Sequence, residues 1–247
     1  MKIKGIILIT LMMTIPALAH ADAEIHDPFY APDARHLMSS TFVDYSNMRI
    51  AGEKTKKYNV FEEISYSIDG WWYAIADFSN GWIEPDGTDK YQERYWKAGV
   101  SRFISTSENS DILVNAYYTE YRPEHGDRYN TIQLQLCLDL MLDRTVKPFA
   151  SVNYDRGVRQ ISKSDDSYEF YAGAWSKFGR LMIKGQSYTK YSHEAYTDSY
   201  LGLEAAYKIS DNFAAGIYGQ GLVYSHYDGG TDISSDLKGG VYIKILM

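Results

Sequence analysis

Apolar and polar residues alternate with a period of two along most of the chain. Tyr58, Val60, Glu62, Ile64, Tyr66 and Ile68 share one face, opposite Lys57, Asn59, Glu63, Ser65 and Ser67. Ile132, Leu134, Leu136, Leu138 and Leu140 alternate with Thr131, Gln133, Gln135, Cys137 and Asp139. Leu201, Leu203, Ala205 and Tyr207 oppose Gly202, Glu204 and Lys208, and Val241, Ile243 and Ile245 oppose Gly240, Tyr242 and Lys244. Successive strand side chains point to opposite faces, so this period predicts β-strands with one apolar face. No window keeps a 3.6-residue stripe. Counting the runs gives about twelve strands, within a range of roughly 10–14. They lie near 36–50, 56–68, 71–82, 91–104, 111–121, 129–142, 146–156, 166–176, 180–192, 199–209, 212–225 and 236–247. Short turns, as at Asp69-Gly70, alternate with longer polar connections at 51–55, 83–90, 122–128, 157–165, 193–198 and 226–235. That rhythm predicts an up-and-down antiparallel meander with the longer loops at one end.

Residues 1–21 break the pattern. Lys2 and Lys4 precede an apolar stretch from Ile6 to Ala19, and Ala19-His20-Ala21 puts small residues at the −3 and −1 positions. This order predicts a cleaved secretory signal peptide. Residues 22–35, with two prolines and no period, form an irregular lead-in, and 36–247 form one all-β domain. Cleavage removes two bases from 25 and none of 32 acids, leaving −9. Such a chain lacks the basic excess that nucleic-acid binding needs. One cysteine excludes a disulfide framework. A mean hydropathy of −0.37 and no second long apolar run exclude a helical membrane protein.

Alternation alone leaves the direction of the apolar face open. A soluble barrel turns it inward and a membrane barrel turns it to lipid. Trp71 and Trp72 flank the first short turn, Trp175 and Phe178 another, and Tyr207 and Phe213 a third. Aromatics at strand ends match a girdle at the headgroup level. The opposite faces carry mid-strand charges that suit no apolar core: Glu63, Asp77, Asp139, Glu169, Lys184, Glu204 and Lys244. The last strand, Lys238 to Met247, has Gly240, Ile243 and Ile245 in alternation and runs to the end of the sequence.

With this leader, these strands and this terminal segment, the chain resembles bacterial outer-membrane β-barrels. The resemblance is architectural and covers nearly the whole chain, and Met247 stands where that family usually has phenylalanine. It implies a transmembrane barrel in a Gram-negative outer membrane. Its surroundings would be lipid and lipopolysaccharide, and the insertion machinery would read its last strand. It also implies a function class, a narrow porin-like channel for small hydrophilic solutes. The lumen would be lined by Glu63, Asp77, Asp139, Glu169, Lys184, Glu204, Lys208, Tyr218, Tyr242 and Lys244. Trp71, Trp72, Trp175, Tyr207 and Phe213 would form the girdle. A closed structural or surface barrel acting through its loops is the alternative, because twelve strands lie between filled and open barrels. No cofactor or metal motif is present. Ser192-His193 and Ser225-His226 are the only hints of a lipid-modifying rim enzyme, and adjacent strand residues diverge.

Overall fold

The computed structural model describes residues 37–50, 52–68, 72–107, 110–124, 128–140, 146–158, 166–192, 196–228 and 232–247. The leader and the lead-in lie outside them. Twelve strands form one closed antiparallel barrel: β1 (Leu37–Ile50), β2 (Glu53–Ser67), β3 (Trp72–Pro85), β4 (Tyr91–Ser107), β5 (Ser110–Pro123), β6 (Tyr129–Leu140), β7 (Val146–Gly157), β8 (Ser167–Phe178), β9 (Leu181–Ser192), β10 (Tyr196–Ser210), β11 (Phe213–Tyr227) and β12 (Ile233–Leu246). Each strand pairs with its chain neighbours, and β12 closes on β1. The two chain ends meet there, with Leu37 N–H donating to Met247 O at 2.9 Å and Met247 N–H to Leu37 O at 2.8 Å. We call that mouth proximal and the opposite one distal. Closure leaves no open sheet edge, the condition a strand array must meet in hydrocarbon.

The two faces are inverted relative to a water-soluble protein. Leu203, Leu237 and Ile217 are 70%, 67% and 62% exposed on the outside, whereas Glu63, Asp77 and Glu169 are fully buried inside. An apolar belt around a whole barrel is stable against lipid and not against water. The belt is bounded by aromatics. Near the proximal mouth Trp72, Phe178 and Tyr207 face outward. Near the distal mouth the outward pairs Tyr45–Tyr58, Trp96–Tyr118 and Tyr154–Tyr168 pack at 5.2, 5.4 and 5.0 Å. Phe213, half-buried, pairs with the outward Ile245. Trp71 lies outside the described residues. Trp175 corrects the expected girdle: it points inward and is 2% exposed. The β8 register puts odd residues inside, so closeness to a turn did not decide which way this ring faces.

Inside, rings lie flat over glycines on neighbouring strands. Tyr242 pairs with Gly216 and Tyr218 with Gly240. A Cβ at Gly216 would overlap the Tyr242 ring, and one at Gly240 would lie 2.9 Å from the Tyr218 hydroxyl. Glycine at 216 lets the Tyr242 ring rest on the wall instead of crossing the lumen, whereas at 240 it also admits the Val43 carbonyl oxygen, 2.5 Å from where a Cβ would lie.

The strands run past the apolar runs at the distal mouth. β2 begins at Glu53, so the expected loop over 51–55 is a tight turn through Gly52, which has φ +86°. β11 contains a bulge near Val223. Tyr200 pairs with Leu222 and Ser199 with Tyr224, and both Val223 and Tyr224 are exposed. Beyond it the inward residues change from even to odd numbers.

Candidate functional site

The barrel interior is the candidate site. Its axis has three levels. At the proximal end the wall is apolar, with Met38, Ile75, Leu113, Phe149, Trp175, Met182 and Ala214 buried. Lys184 sits above this floor, its ammonium 4.8 Å from the Trp175 ring and 5.3 Å from that of Phe149. Aromatic faces attract a cation, which offsets part of the desolvation of a buried lysine.

Charges dominate mid-height. Lys97 Nζ lies 2.6 Å from Asp77 and 4.4 Å over the Tyr117 ring, with both partners of the ion pair almost wholly buried. Glu63 is the cross-strand neighbour of Asp77 and shares its depth. Asp44 accepts from the Tyr218 hydroxyl at 3.0 Å and from Asn59 at 3.4 Å, and Lys238 stands 3.7 Å away. The Tyr242 hydroxyl donates to Glu204 at 2.5 Å.

Tyrosines and acids gather towards the distal mouth. Tyr171, Tyr188 and Tyr200 occupy one cross-strand row and stack at 5.0 and 5.1 Å, nearly parallel. Carboxylates hold their hydroxyls: Tyr171 donates to Glu169 at 3.0 Å and Tyr200 to Asp236 at 3.3 Å. Lys190 stands 3.4 Å from Glu169. Tyr227 donates to Asp198 at 2.7 Å, and Lys57 pairs with Glu93, which also accepts from Tyr121. A buried charge without a partner costs several kcal/mol, so the lumen distributes both signs within reach of each other.

Of the residues singled out from sequence, Glu63, Asp77, Glu169, Lys184, Tyr242 and Lys244 are buried within the barrel, and Lys244 lies 5.0 Å from the Tyr242 ring. Glu204 and Tyr218 are half-buried there. Lys208 lies at the proximal mouth, 3.1 Å from the exposed Asp211. The Asp139 side chain lies outside the described residues. Sequence reasoning passed over Lys97, Glu93, Lys190, Asp198 and Asp236. Glu93 lies between Gln92 and Arg94 and Asp198 between Thr197 and Ser199, so alternation gave no signal at those two.

A small cavity of about 30 Å³ opens between the levels, lined by Phe42, Lys184, Gln186, Glu204, Tyr218, Gln220 and Tyr242. It presents one acid, one base, two primary amides and two phenols, groups that hydrogen-bond polar solutes of either sign.

Among the described residues, His226 forms no catalytic pair with Ser225. His226 is exposed on the outer wall, 3.3 Å from Asp228 and 3.7 Å from Asp232. Ser225 belongs to the inward face, and its hydroxyl accepts the Ile233 N–H at 3.0 Å. His193 lies outside the described residues.

No family model matches the chain, and no curated protein matches it. Solved structures do. The COG4313 outer membrane channel from Pseudomonas putida F1 superposes with a TM-score of 0.71 over 90% of this chain and 98% of its own, at 7% identity. The fold is that of a bacterial outer-membrane β-barrel. Two other barrels are also similar. The NanC porin gives a TM-score of 0.56 over 82% of this chain and 98% of its own, at 11% identity. The translocator domain of the autotransporter NalP from Neisseria meningitidis gives 0.58 over 99% and 94%, at 9% identity.

Proposed function

We propose that this chain is a monomeric barrel of a Gram-negative outer membrane whose lumen is a narrow, porin-like channel for small hydrophilic solutes. In this reading the signal peptide exports it, the insertion machinery recognises the last strand, and lipid and lipopolysaccharide surround the apolar belt. The proximal mouth, with both termini, faces the periplasm and the distal loops face outside. The observation that carries the reading is the charged mid-height layer built on Asp77–Lys97 and Asp44–Lys238. Apolar filling would stabilise a purely structural barrel at least as well, since buried ion pairs are poor stabilisers. Charges and amides along a lumen instead replace part of a solute's hydration shell. The solved relatives include channels and porins, which supports the same reading.

Selectivity in this channel comes from Glu204 and Lys184 at the cavity, with Lys244, Glu63, Asp77 and Glu169 setting the field around it. Tyr218 and Tyr242 offer rings against which a solute's apolar face slides. Liposome swelling with a graded series of neutral sugars tests this. Rates that fall with solute size support a narrow pore. A protein that inserts but passes none of them contradicts it.

The dense interior favours a second reading, a closed structural or surface barrel acting through its distal loops. Most described inward side chains are buried. That reading predicts no swelling, and loss of function when loop 228–232 is trimmed from a barrel that still folds.

A further inference from the structure

The outer wall near the distal mouth carries an arrangement that neither folding nor solute passage explains. Arg94 on β4 and Arg122 on β5 are direct cross-strand partners. Arg128 precedes Tyr129, which pairs with Tyr121, so the third arginine continues the same row on the β6 side. All three are exposed. Their strand neighbours Glu93, Tyr95 and Tyr121 are buried in the lumen, so Arg94 and Arg122 point outward. Like charges directly opposite on one sheet face are destabilising.

The nearby carboxylates offset only part of this positive charge: Glu120 pairs with Arg122 and also attracts Arg128. Glu120 accepts from Trp96 Nε1 as well, at 3.1 Å. Glu124 accepts the Gln92 N–H at 2.8 Å, and Glu84 pairs with Lys90 at 3.1 Å. Among the described residues, no carboxylate forms an ion pair with Arg94 or Arg128.

We propose that this row binds the phosphorylated headgroup of an outer-leaflet lipid of the lipopolysaccharide type. The proposal rests on the outer-membrane reading above. Three features argue for that occupant. The guanidinium fork matches phosphate oxygens two at a time and is weakly hydrated. The row stands two residues beyond Trp96 and four beyond Tyr118, about 7 to 14 Å past that pair of the distal belt, where headgroups lie. It also faces the bilayer and not the lumen, so its ligand is held in the membrane plane at high effective concentration. A headgroup with two phosphates would bridge Arg94 and Arg128, giving each a charge-assisted contact.

Native mass spectrometry of the refolded mature protein, titrated with lipid A, tests the proposal. Bisphosphorylated lipid A is compared with lipid A stripped of phosphate, and inorganic phosphate is added as a competitor. Wild type is expected to bind the bisphosphorylated form about tenfold or more tightly than the stripped one. R94Q/R128Q should lose that preference, and R94K/R128K should recover part of it. R102Q, on the outer wall near the proximal mouth beside Trp72, should change nothing. Equal binding of the two lipids by wild type overturns the proposal, and so does an unchanged preference in R94Q/R128Q. Inorganic phosphate that binds wild type as tightly as bisphosphorylated lipid A would assign the row to a free anion and overturn the lipid assignment. If the double variant fails to fold, the wild-type lipid comparison decides alone. Wild type that inserts but shows no preference removes only this proposal, whereas wild type that inserts in no bilayer removes the outer-membrane reading with it.

Discussion

Leu203→Arg asks whether the outer wall meets hydrocarbon. Leu203 is the most exposed large apolar residue on the wall and sits at the centre of β10 (Tyr196–Ser210), seven residues from either end. At about 3.4 Å per residue and a tilt of about 40°, seven residues span roughly 18 Å of height. The side chain therefore lies at the midplane of an apolar band about 25 Å tall. An arginine at that depth costs about 2–4 kcal/mol, or roughly a hundredfold in the folding equilibrium. On a wall facing water, the same change would stay within about 0.5 kcal/mol. Thr197→Arg, near the distal end of the same strand and face, provides the reference at about 0–1 kcal/mol. Denaturant titration of vesicle-inserted protein, followed by tryptophan fluorescence, measures both. Equal stability of the two variants would refute a lipid-facing wall.

Three further outcomes follow from the interior. Asp77→Ala leaves the Lys97 ammonium without its 2.6 Å partner and should cost about 3–5 kcal/mol, whereas D77L/K97M should be nearly neutral in the same titration. Gly216→Ala should cost about 1–3 kcal/mol by driving the Tyr242 ring off the wall, and a Tyr242→Ala background should remove most of that cost in a double-mutant cycle. Lys184→Glu replaces the base of the central cavity with an acid, so the zero-current potential in a salt gradient should shift towards cation preference.

Strand number and order were legible because outward residues must be apolar along the whole belt, a constraint that writes itself into the sequence as strict alternation. The Ile132–Leu140 and Val241–Ile245 runs show it most clearly. Legibility fades where the belt ends. β10 starts at Tyr196 and β12 at Ile233, each three residues before the expected strand start, because hairpin hydrogen bonding continues past the apolar belt through Thr197, Asp198 and Ser234. The bulge at Val223 was hidden as well, since two adjacent outward residues, Val223 and Tyr224, look the same in sequence as a strand end. Lumen partners were the least legible. That Lys97 meets Asp77 depends on the β3–β4 register, and that Tyr218 reaches Asp44 depends on barrel closure between residues 174 positions apart. Trp175 shows the remaining limit. An aromatic near a turn belongs to the girdle only if its parity points outward, and its odd position on β8 turns it onto Lys184 instead.

The channel itself is tested most directly by single-channel recording of the refolded mature protein in a planar bilayer, with folding verified by heat-modifiable gel mobility. A narrow pore lined by Glu204, Lys184 and Lys244 predicts small, stable, ohmic steps whose ion preference follows charge reversal at those residues. A folded, inserted barrel that stays silent at every voltage would contradict the channel and leave the closed barrel.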